Sequence, residues 1–580
     1  MKFFLLFLLF ILVSSPSFSQ WSTNPNVNNL VSSIPGNQRY LASCSDGGGG
    51  IIMVWEDNSG SNVSIFAQRF NVAGQPVWQV GGLRVCPNSF DQKDPAICTD
   101  ADGGAIIYWV DYRTGGGFYD YYAQRIRKDG LLLWNTNGIK VNSLSVLANF
   151  FFVISYKHKC IPAEAGSSIV EWGSTGLSVG NLYTQKLDAY GNRSWNTNDV
   201  LLSSQWLNNF DLCLDGGKGA YYSWAEPDYS DVPSYNLFAQ HVNALGIIQW
   251  SPRKTVCDEL QLQFDPVMCD DQAGGFIVAW MDYRSLLINP FTGNEDVYAG
   301  HFNSAGSNLW ALNGIPVCTE IHDQKNPVIV SDLHGGAHIF WSDYRNFSAE
   351  VRIYGQNISF NGLVRWTVNG KLFASRYDFF ATNNLRYSPK IASVDALGGA
   401  VICWLGYQDV ALTQYGLLAQ KIDYYGIPQW DPDGIFVSTG NLKEAPSLVS
   451  DWGSGGCNIA WADARNGNFD IYAQHVKSNS ALGNYKPKPV NSGVKDILSQ
   501  NYPNPFNPTT NIAFSLVNDA NVSIAIFDMS GRQLEVLTDG FLTAGEHSVT
   551  WNASNYASGT YFYKFTNGNH VEIKKMLLVK

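Results

Sequence analysis

Short apolar runs alternate with turn-forming residues at a regular spacing along this chain. The stretch Ile97–Arg113 reads ICTDADGGAIIYWVDYR: a polar, Gly-marked turn, five apolar residues, then a polar end. An apolar run without alternation predicts a strand covered on both faces. The same order returns in MCDDQAGGFIVAWMDYR (Met268–Arg284) and IVSDLHGGAHIFWSDYR (Ile329–Arg345). Trp55, Trp109, Trp172, Trp224, Trp280, Trp341, Trp404 and Trp461 anchor eight such copies. A Gly stands five residues before the anchor in every copy but the third, which has Ser167. Downstream comes another strand signal, marked by Gln68, Gln124, Gln185, Gln240, Gln356, Gln420 and Gln474, with Gly300 in the fifth copy. A Gly and, four residues later, a second Trp follow in seven copies, from Gly74/Trp78 to Gly426/Trp430.

Each copy predicts four short strands in about fifty to sixty residues, the pattern of one β-propeller blade. A sandwich does not explain eight copies, and solenoid coils are shorter. The expected fold class is all-β: an eight-bladed β-propeller, then a small immunoglobulin-like β-sandwich. The eighth copy is incomplete, with Ser480 and Asn484 where Gly and Trp are expected. WSTNPNVNNLVSS (Trp21–Ser33) is similar to WNTNDVLLSS (Trp195–Ser204). The N-terminal segment is therefore expected to supply the outer strand of the last blade and remove an open edge.

In a four-stranded meander, the links between strands two and three share one face with the links between blades. The distance from anchor Trp to the Gln position, which spans the first class, varies from 13 to 20 residues. The longest link is Ser285–Asp296, and the inter-blade links swell at Asn142–His158 and Ser375–Ser388. Scaffolds place recognition on such loops. The candidate binding residues are Tyr156, Tyr229, Tyr235, Phe291, Tyr377, Phe380 and Tyr387, with Tyr119 and Phe151 in the same links. Aromatics among Asn and Asp stack on and hydrogen-bond sugar rings or another protein. The competing reading is that each ring plugs its own loop onto the disc.

One motif carries ionic chemistry. Trp-x-Asp-x-Arg is complete at Trp109/Asp111/Arg113, Trp280/Asp282/Arg284, Trp341/Asp343/Arg345 and Trp461/Asp463/Arg465. Period-two spacing puts Asp and Arg on one side of the strand end. A catalytic site needs one constellation, so four copies indicate architecture: pairs tying blade edges together. Copies three (WGSTG) and seven (WLGYQ) lack the pair and mark an asymmetric sector. A glycosidase needs two placed carboxylates, and nothing singles out a pair among Glu226, Asp228, Glu295 and Asp296. The sequence shows no catalytic motif, so no catalytic residue, cofactor or metal ligand is expected.

Ten cysteines test the repeat. Cys44, Cys98, Cys213 and Cys269 lie eleven residues before their anchors, where other copies carry Ile161 and Val330. The spacings Cys86/Cys98 and Cys257/Cys269 would allow pairing, but a position shared with Ile and Val is an apolar core position. Buried thiols are expected.

Composition narrows the class. Aromatics at 14% and charged residues at 15% exclude disorder. A net charge of −11 argues against nucleic acid as partner. Lys2, the apolar run Phe3–Val13, and Ser17 and Ser19 before a cut at Gln20 make residues 1–19 a secretory signal peptide. The run is too short to span a bilayer, and no transmembrane segment is expected in the mature chain. The propeller is assigned to residues 20–492.

Beyond Ser492 the pattern changes. Val522, Ile524 and Ile526 alternate with Ser523, Ala525 and Phe527, as in a half-buried strand. EHSVTWNA, GTYFYKF and VEIKKMLLV add three strands. Residues 493–510, rich in Pro and Asn, are read as a stiff linker that enters the first strand. NYPNPFNPTT, VSIAIFDMSGRQLEVL, AGEHSVTWNASNYASGTYFYKF and the final KKMLLVK resemble the C-terminal sorting domain of the type IX (Por) secretion system, over residues 497–580. Its motif includes Tyr502, Pro503, Asn504, Pro505, Phe506, Asn507 and Pro508. The resemblance implies export across the outer membrane of a Gram-negative bacterium, the type IX machinery as partner, and release or anchoring at the surface. The expected function is non-catalytic binding of polysaccharide or protein through the variable face. The alternatives are an extracellular propeller glycoside hydrolase or lyase, and a structural surface-layer component.

Overall fold

The computed structural model describes residues 21–580 except 23, 148–157, 165, 176–179, 197, 206–208, 229–233, 288–293, 346–350, 378–388, 394–397, 408–414, 441–442, 452–454, 479–496, 499–500, 502–503, 517–519, 530–531, 543–544 and 568–569. It forms two compact units, Met1–Tyr485 and Lys486–Lys580.

The first unit is built of four-stranded antiparallel meanders, one per repeat. In repeat two the strands Gln92–Thr99, Ala105–Gly115 and Phe118–Ile126 pair in order, and Ile139–Lys140 and Val146–Leu147 both add to the third. Repeats six and seven join into one sheet through a single pairing, Tyr377 with Gly406. The first strands of successive repeats touch one another in cyclic order. The last of them, Lys443–Ser450, lies against the first, Gln38–Ser45. There Arg39 Nε donates to Glu444 Oε2 at 2.7 Å, and the Ser43 and Ser447 hydroxyls lie 2.6 Å apart. This arrangement is propeller-like.

The N-terminal strand, Asn29–Ser32, pairs antiparallel with Asp470–Val476, the third strand of repeat eight. Trp21 takes the place that a second Trp holds in other repeats. Its indole donates to Val72 O at 2.9 Å, as Trp78 does to Lys128 O and Trp134 to Ala189 O, both at 3.1 Å. Each of these carbonyls belongs to the residue two before the next repeat's Gly. The close approach explains that Gly: a Cβ on Gly74, at φ +78°, would lie 2.8 Å from the Trp21 ring.

The anchors form the core. Trp55, Trp109, Trp224, Trp280, Trp341 and Trp461 have no exposed surface, and Trp172 and Trp404 retain 1%. Burying such a side chain contributes about 4–6 kcal/mol of transfer free energy. The second strand of repeat two is buried continuously from Ala105 to Val110, as expected of a strand covered on both faces. All ten cysteines are free thiols; nine are buried and Cys269 is half-buried. Burial raises the pKa values of nine of them, Cys257, Cys318 and Cys403 being pushed up to about 12.

The second unit packs a three-stranded and a four-stranded antiparallel sheet over one core that contains Ile512, Phe514, Ile524, Trp551, Tyr563 and Phe565. Of the expected sorting motif, Tyr502 and Pro503 lie outside the described residues. Residues 504–508 are not a spacer here. Phe506 is 2% exposed and lies 5.6 Å from Trp551, and its backbone bonds Leu577 O and Val579 N at 3.0 Å each. Asn504 Oδ1 accepts from Leu577 N at 2.9 Å. An apolar ring between prolines gains more by entering the core than by stiffening a linker.

Candidate binding site

The two ends of the meanders differ. At one end, the turn between strands one and two is held by an aspartate. Asp46 Oδ1 accepts from Gly48 N at 2.8 Å and Gly50 N at 2.7 Å, while Oδ2 receives Arg69 from strand three at 2.9 Å. The residue after the recurring Gln supplies this partner in most repeats. It is Arg125 on Asp100 at 3.0 Å, and His241, His301 and His475 on Asp215, Asp271 and Asp451 at 2.9 Å each. Burial opposes ionisation of Asp215 and Asp271. The bonds from histidine and backbone N–H outweigh it and hold both carboxyls below the usual range. The Gln pins the turn between strands three and four: Gln68 Nε2 donates to Gln79 O at 2.7 Å, and its Oε1 accepts from Trp78 N at 3.0 Å. Gln474 binds Ser22 O in the same way. These side chains recur because this end is locked.

The other end carries the Trp-x-Asp-x-Arg motif and the links of variable length. The Trp109 indole donates to Asp111 Oδ2 at 2.9 Å. Arg113 grips both oxygens of Asp111, at 2.8 and 2.6 Å, and reaches Cys86 Sγ of the preceding repeat at 3.3 Å. The guanidinium also covers a ring on strand three. Arg113 lies 3.7 Å from the Tyr122 centroid, Arg284 3.9 Å from Tyr298, Arg345 3.8 Å from Tyr354 and Arg465 4.2 Å from Tyr472. Repeat four reaches the same end by other means. Trp224 donates to Glu226 at 2.6 Å, and Arg253 binds Glu226 while lying 3.8 Å over Phe238.

Asp343 corrects the expectation that the aspartate and arginine together tie neighbouring blades. Its carboxylate is 1% exposed and is bonded inside its own strand end. Oδ2 accepts from the Trp341 indole at 2.8 Å and from Arg345 Nη2 at 2.7 Å, and Oδ1 accepts from Arg345 N at 2.9 Å and Nε at 2.8 Å. Only the arginine reaches further, to Cys318 Sγ of the preceding repeat at 3.3 Å and to Asn369 O at 2.7 Å. Asp282 is held likewise, by Trp280 at 2.8 Å and by Arg284 at 2.8 and 2.6 Å. The physical reason is desolvation. A buried carboxylate needs all its acceptor sites filled at close range, and a fork donor two residues away fills them first. The aspartate therefore orients the arginine, whose outer edge makes the main contact between repeats; Asp111 and Asp282 add a further one, accepting from Asn88 Nδ2 at 3.1 Å and from Cys257 Sγ at 3.9 Å.

Repeats one, three and seven lack this plug; in repeat one Ser59 stands in the arginine's place, and its N–H donates to Asp57 at 3.0 Å. In repeat seven, Leu418 replaces the ring and packs with Trp404 and Phe436, so the space is filled. In repeat three it is open. A cleft of about 670 Å³ lies between repeats two and three. Its lining includes Trp172, Ser174, Asn181, Tyr183, Asn198 and Asp199 from repeat three, with Ser143–Leu147 and Phe118 from repeat two. Ser174 and Asn181 stand where repeat two has Asp111 and Asp120. Tyr183 lies beside Trp172, with centroids 6.0 Å apart and planes at 25°. Among the described residues no cation covers Tyr183. Asp199 is already bound, by Arg193 and by Ser143 N at 2.8 Å and Oγ at 2.7 Å.

The expected loop aromatics are placed as follows. Tyr156, Tyr229, Phe291, Phe380 and Tyr387 lie outside the described residues, as does Phe151. Tyr377 ends the fourth strand of repeat six, Lys371–Tyr377. Tyr235 is not a free loop aromatic. It lies in strand Ser234–Val242, half-buried, with its ring 5.0 Å from Phe264. Tyr119 is likewise a strand residue, 3% exposed, edge-on to Tyr121 at 5.7 Å. Both rings gain more from the apolar space between repeats than from solvent. One carboxyl at this end, Asp296, is raised to about 7 by burial and by the charge of Asp282. It is 2% exposed and accepts from Asn294 Nδ2 at 3.0 Å, so it faces the interior rather than a substrate.

Comparison with known proteins identifies the second unit. Residues 500–580 match the secretion system C-terminal sorting domain. The protein is therefore secreted or displayed at the surface of a Gram-negative bacterium of the Bacteroidetes type, and the domain implies interaction with the type IX machinery. No helix among the described residues is long and apolar enough to cross a membrane. A search of curated proteins finds no match. Among solved structures, the chain is similar to a puromycin hydrolase mutant complexed with PGG, at 13% identity over 74% of this chain and 59% of that one, TM-score 0.38. It is similar to Sqt1 of Chaetomium thermophilum bound to the N-terminus of ribosomal protein L10, at 9% identity over 78% of this chain and 100% of that one, TM-score 0.43. It is also similar to PorZ, a surface component of the type IX secretion system of Porphyromonas gingivalis, at 11% identity over 93% and 81%, TM-score 0.23. At these scores none of the three bears on what this chain does.

Proposed function

We propose that the first unit is an eight-bladed β-propeller latched by its N-terminal strand, and the second an immunoglobulin-like sorting sandwich. The exported propeller is a non-catalytic binding module that recognises polysaccharide or protein through the end where strands two and three are linked. One observation carries this reading: among the described residues, variation in link length is concentrated at that end. The opposite end repeats its Asp, Gln, Gly and Trp clamps. The linked end carries strand-two-to-three connections as long as the one between Asp282 and Asp296, and the open cleft of repeat three. A scaffold that fixes one end and varies the other is built for recognition. The Trp-x-Asp-x-Arg residues serve architecture, since each arginine is consumed by its own aspartate and ring.

A glycan-array screen of the secreted chain, with soluble products followed in the same samples, tests the proposal. The expected result is retention of a glycan class without product release. Turnover of a bound glycan would replace binding by hydrolysis or lysis. Absence of any glycan binding would leave a protein ligand, to be sought by cross-linking at the cell surface.

A further inference from the structure

We propose that the cleft between repeats two and three is a subsite for a neutral pyranose ring, stacked on Tyr183. The inference rests on the reading that this end of the propeller binds carbohydrate, and it names the chemistry and the place. Five repeats cover the strand-three ring with an arginine at 3.7 to 4.2 Å. Repeat three keeps the ring and loses the plug. Its Trp-x-Asp-x-Arg reads Trp172, Ser174 and Gly176, and the aspartate opposite on strand three is Asn181. Two carboxylates and a guanidinium are thus replaced by a hydroxyl, an amide and a glycine.

What remains suits a sugar. The volume of about 670 Å³ is in the range of small-ligand sites and has room for one or two rings. A flat aromatic face receives the C–H face of a pyranose, as it receives guanidinium elsewhere. Among the described residues, the Ser174 hydroxyl and the Asn181 and Asn198 side-chain amides have no hydrogen-bond partner. Nor does the Trp172 indole N–H, whose counterparts Trp109, Trp280, Trp341 and Trp461 all donate to an aspartate. Together they offer donors and acceptors around one ring face, matched to sugar hydroxyls. Charge selects further. The Asp199 carboxylate is satisfied by Arg193 and Ser143, so among the described residues of the lining no free charge is left to pair with a uronate or an amino sugar. Asp199 instead fixes the Ser143–Leu147 wall against repeat three.

The test is saturation-transfer NMR and calorimetry on the secreted chain. The probes are the methyl glycosides of glucose, galactose, mannose and N-acetylglucosamine, with methyl glucuronide and glucosamine as charged controls. At least one neutral glycoside should receive saturation at its ring C–H protons and bind better than both charged controls. Asn181→Arg should weaken that binding at least about tenfold, by filling the cleft. Repeat six already carries Arg352 at the equivalent register, so this variant should keep the wild-type melting temperature. Tyr183→Phe should retain binding, because the ring face is unchanged, whereas Tyr183→Leu should lose it about tenfold. If no neutral glycoside binds the wild type while the array still retains a glycan, the cleft assignment falls and the binding face stands. Binding that survives Asn181→Arg likewise places the site elsewhere. Failure of both array and glycosides overturns the carbohydrate reading altogether.

Discussion

Asn28 concentrates the closure of the ring in one side chain. It is 6% exposed, and its bonds reach residues some four hundred positions away. Its Nδ2 donates to Val437 O at 2.8 Å and, weakly, to Gln474 Oε1 at 3.4 Å. Its Oδ1 accepts from Ser438 Oγ and Arg465 Nη2, both at 2.9 Å. Asn28→Ala removes one charge-assisted bond, worth about 1.5–3 kcal/mol, and two neutral bonds of about 1 kcal/mol each. Arg465 keeps Asp463 and Ser438, so it is not stranded, and the expected net loss is about 3 kcal/mol. That loss falls on the strand Asn29–Ser32 and its partner Asp470–Val476. Hydrogen exchange followed by mass spectrometry reads it locally: opening of this pair should be about 100-fold more frequent, while strands of repeat four keep wild-type protection. Asn26→Ala, which removes an exposed bond to Thr439, is the control and should change exchange less than about threefold. Indistinguishable exchange in Asn28→Ala and wild type would refute the idea that the N-terminal segment holds the ring shut.

Three further outcomes follow from the same geometry. Asp296 holds its proton to about pH 7 in the folded chain, above its ordinary value near 3.8, so folding takes up a proton between those values. Stability should therefore fall as pH rises from about 4 to 7. Asp296→Asn should remove a dependence on the order of 1 kcal/mol per pH unit, measured by denaturant unfolding at pH 5 and pH 8. A Cβ at Gly104 would lie 2.2 Å from Ile126 O, so Gly104→Ala should cost more than about 2 kcal/mol, read as a lower melting temperature or loss of the secreted product. The ten free thiols should resist a disulfide reagent at pH 8 in the native chain and react fully in denaturant; burial holds Cys44, Cys98, Cys213 and Cys457 far above that pH in pKa.

The sequence made the repeat legible because each recurring residue answers a local constraint. Gly104 recurs because backbone fills the place of its Cβ, and Gln68 because one amide closes a hairpin on both sides. Such constraints act within a few residues and print directly as spacing. Spacing alone did not say which member of the Asp343–Arg345 pair crosses to the preceding repeat, because both lie on one side of the strand end and only their reach differs. The strand-three partner of each turn aspartate was harder to see. Arg69, His241 and Asn357 perform one task with three chemistries, so no letter repeats. The loop aromatics Tyr119 and Tyr235 misled for a related reason: link length was legible, but which rings fold back into the gap between repeats depends on tertiary packing, as of Tyr235 on Phe264. The cleft follows a third logic. WGSTG was visible as a broken motif, yet WLGYQ is broken in the same way and has no aromatic ring opposite its Trp to expose. The difference lies on the neighbouring strand, where Tyr183 keeps the platform and Leu418 fills the hole. In a repeat architecture the shared letters therefore report what holds the ring. Function is read from a departure only together with its cross-strand partner: in repeat three the lost ion pair leaves the Tyr183 ring beside a cleft, whereas in repeat one, which also lacks the arginine, Ser59 N donates to the retained Asp57 at 3.0 Å.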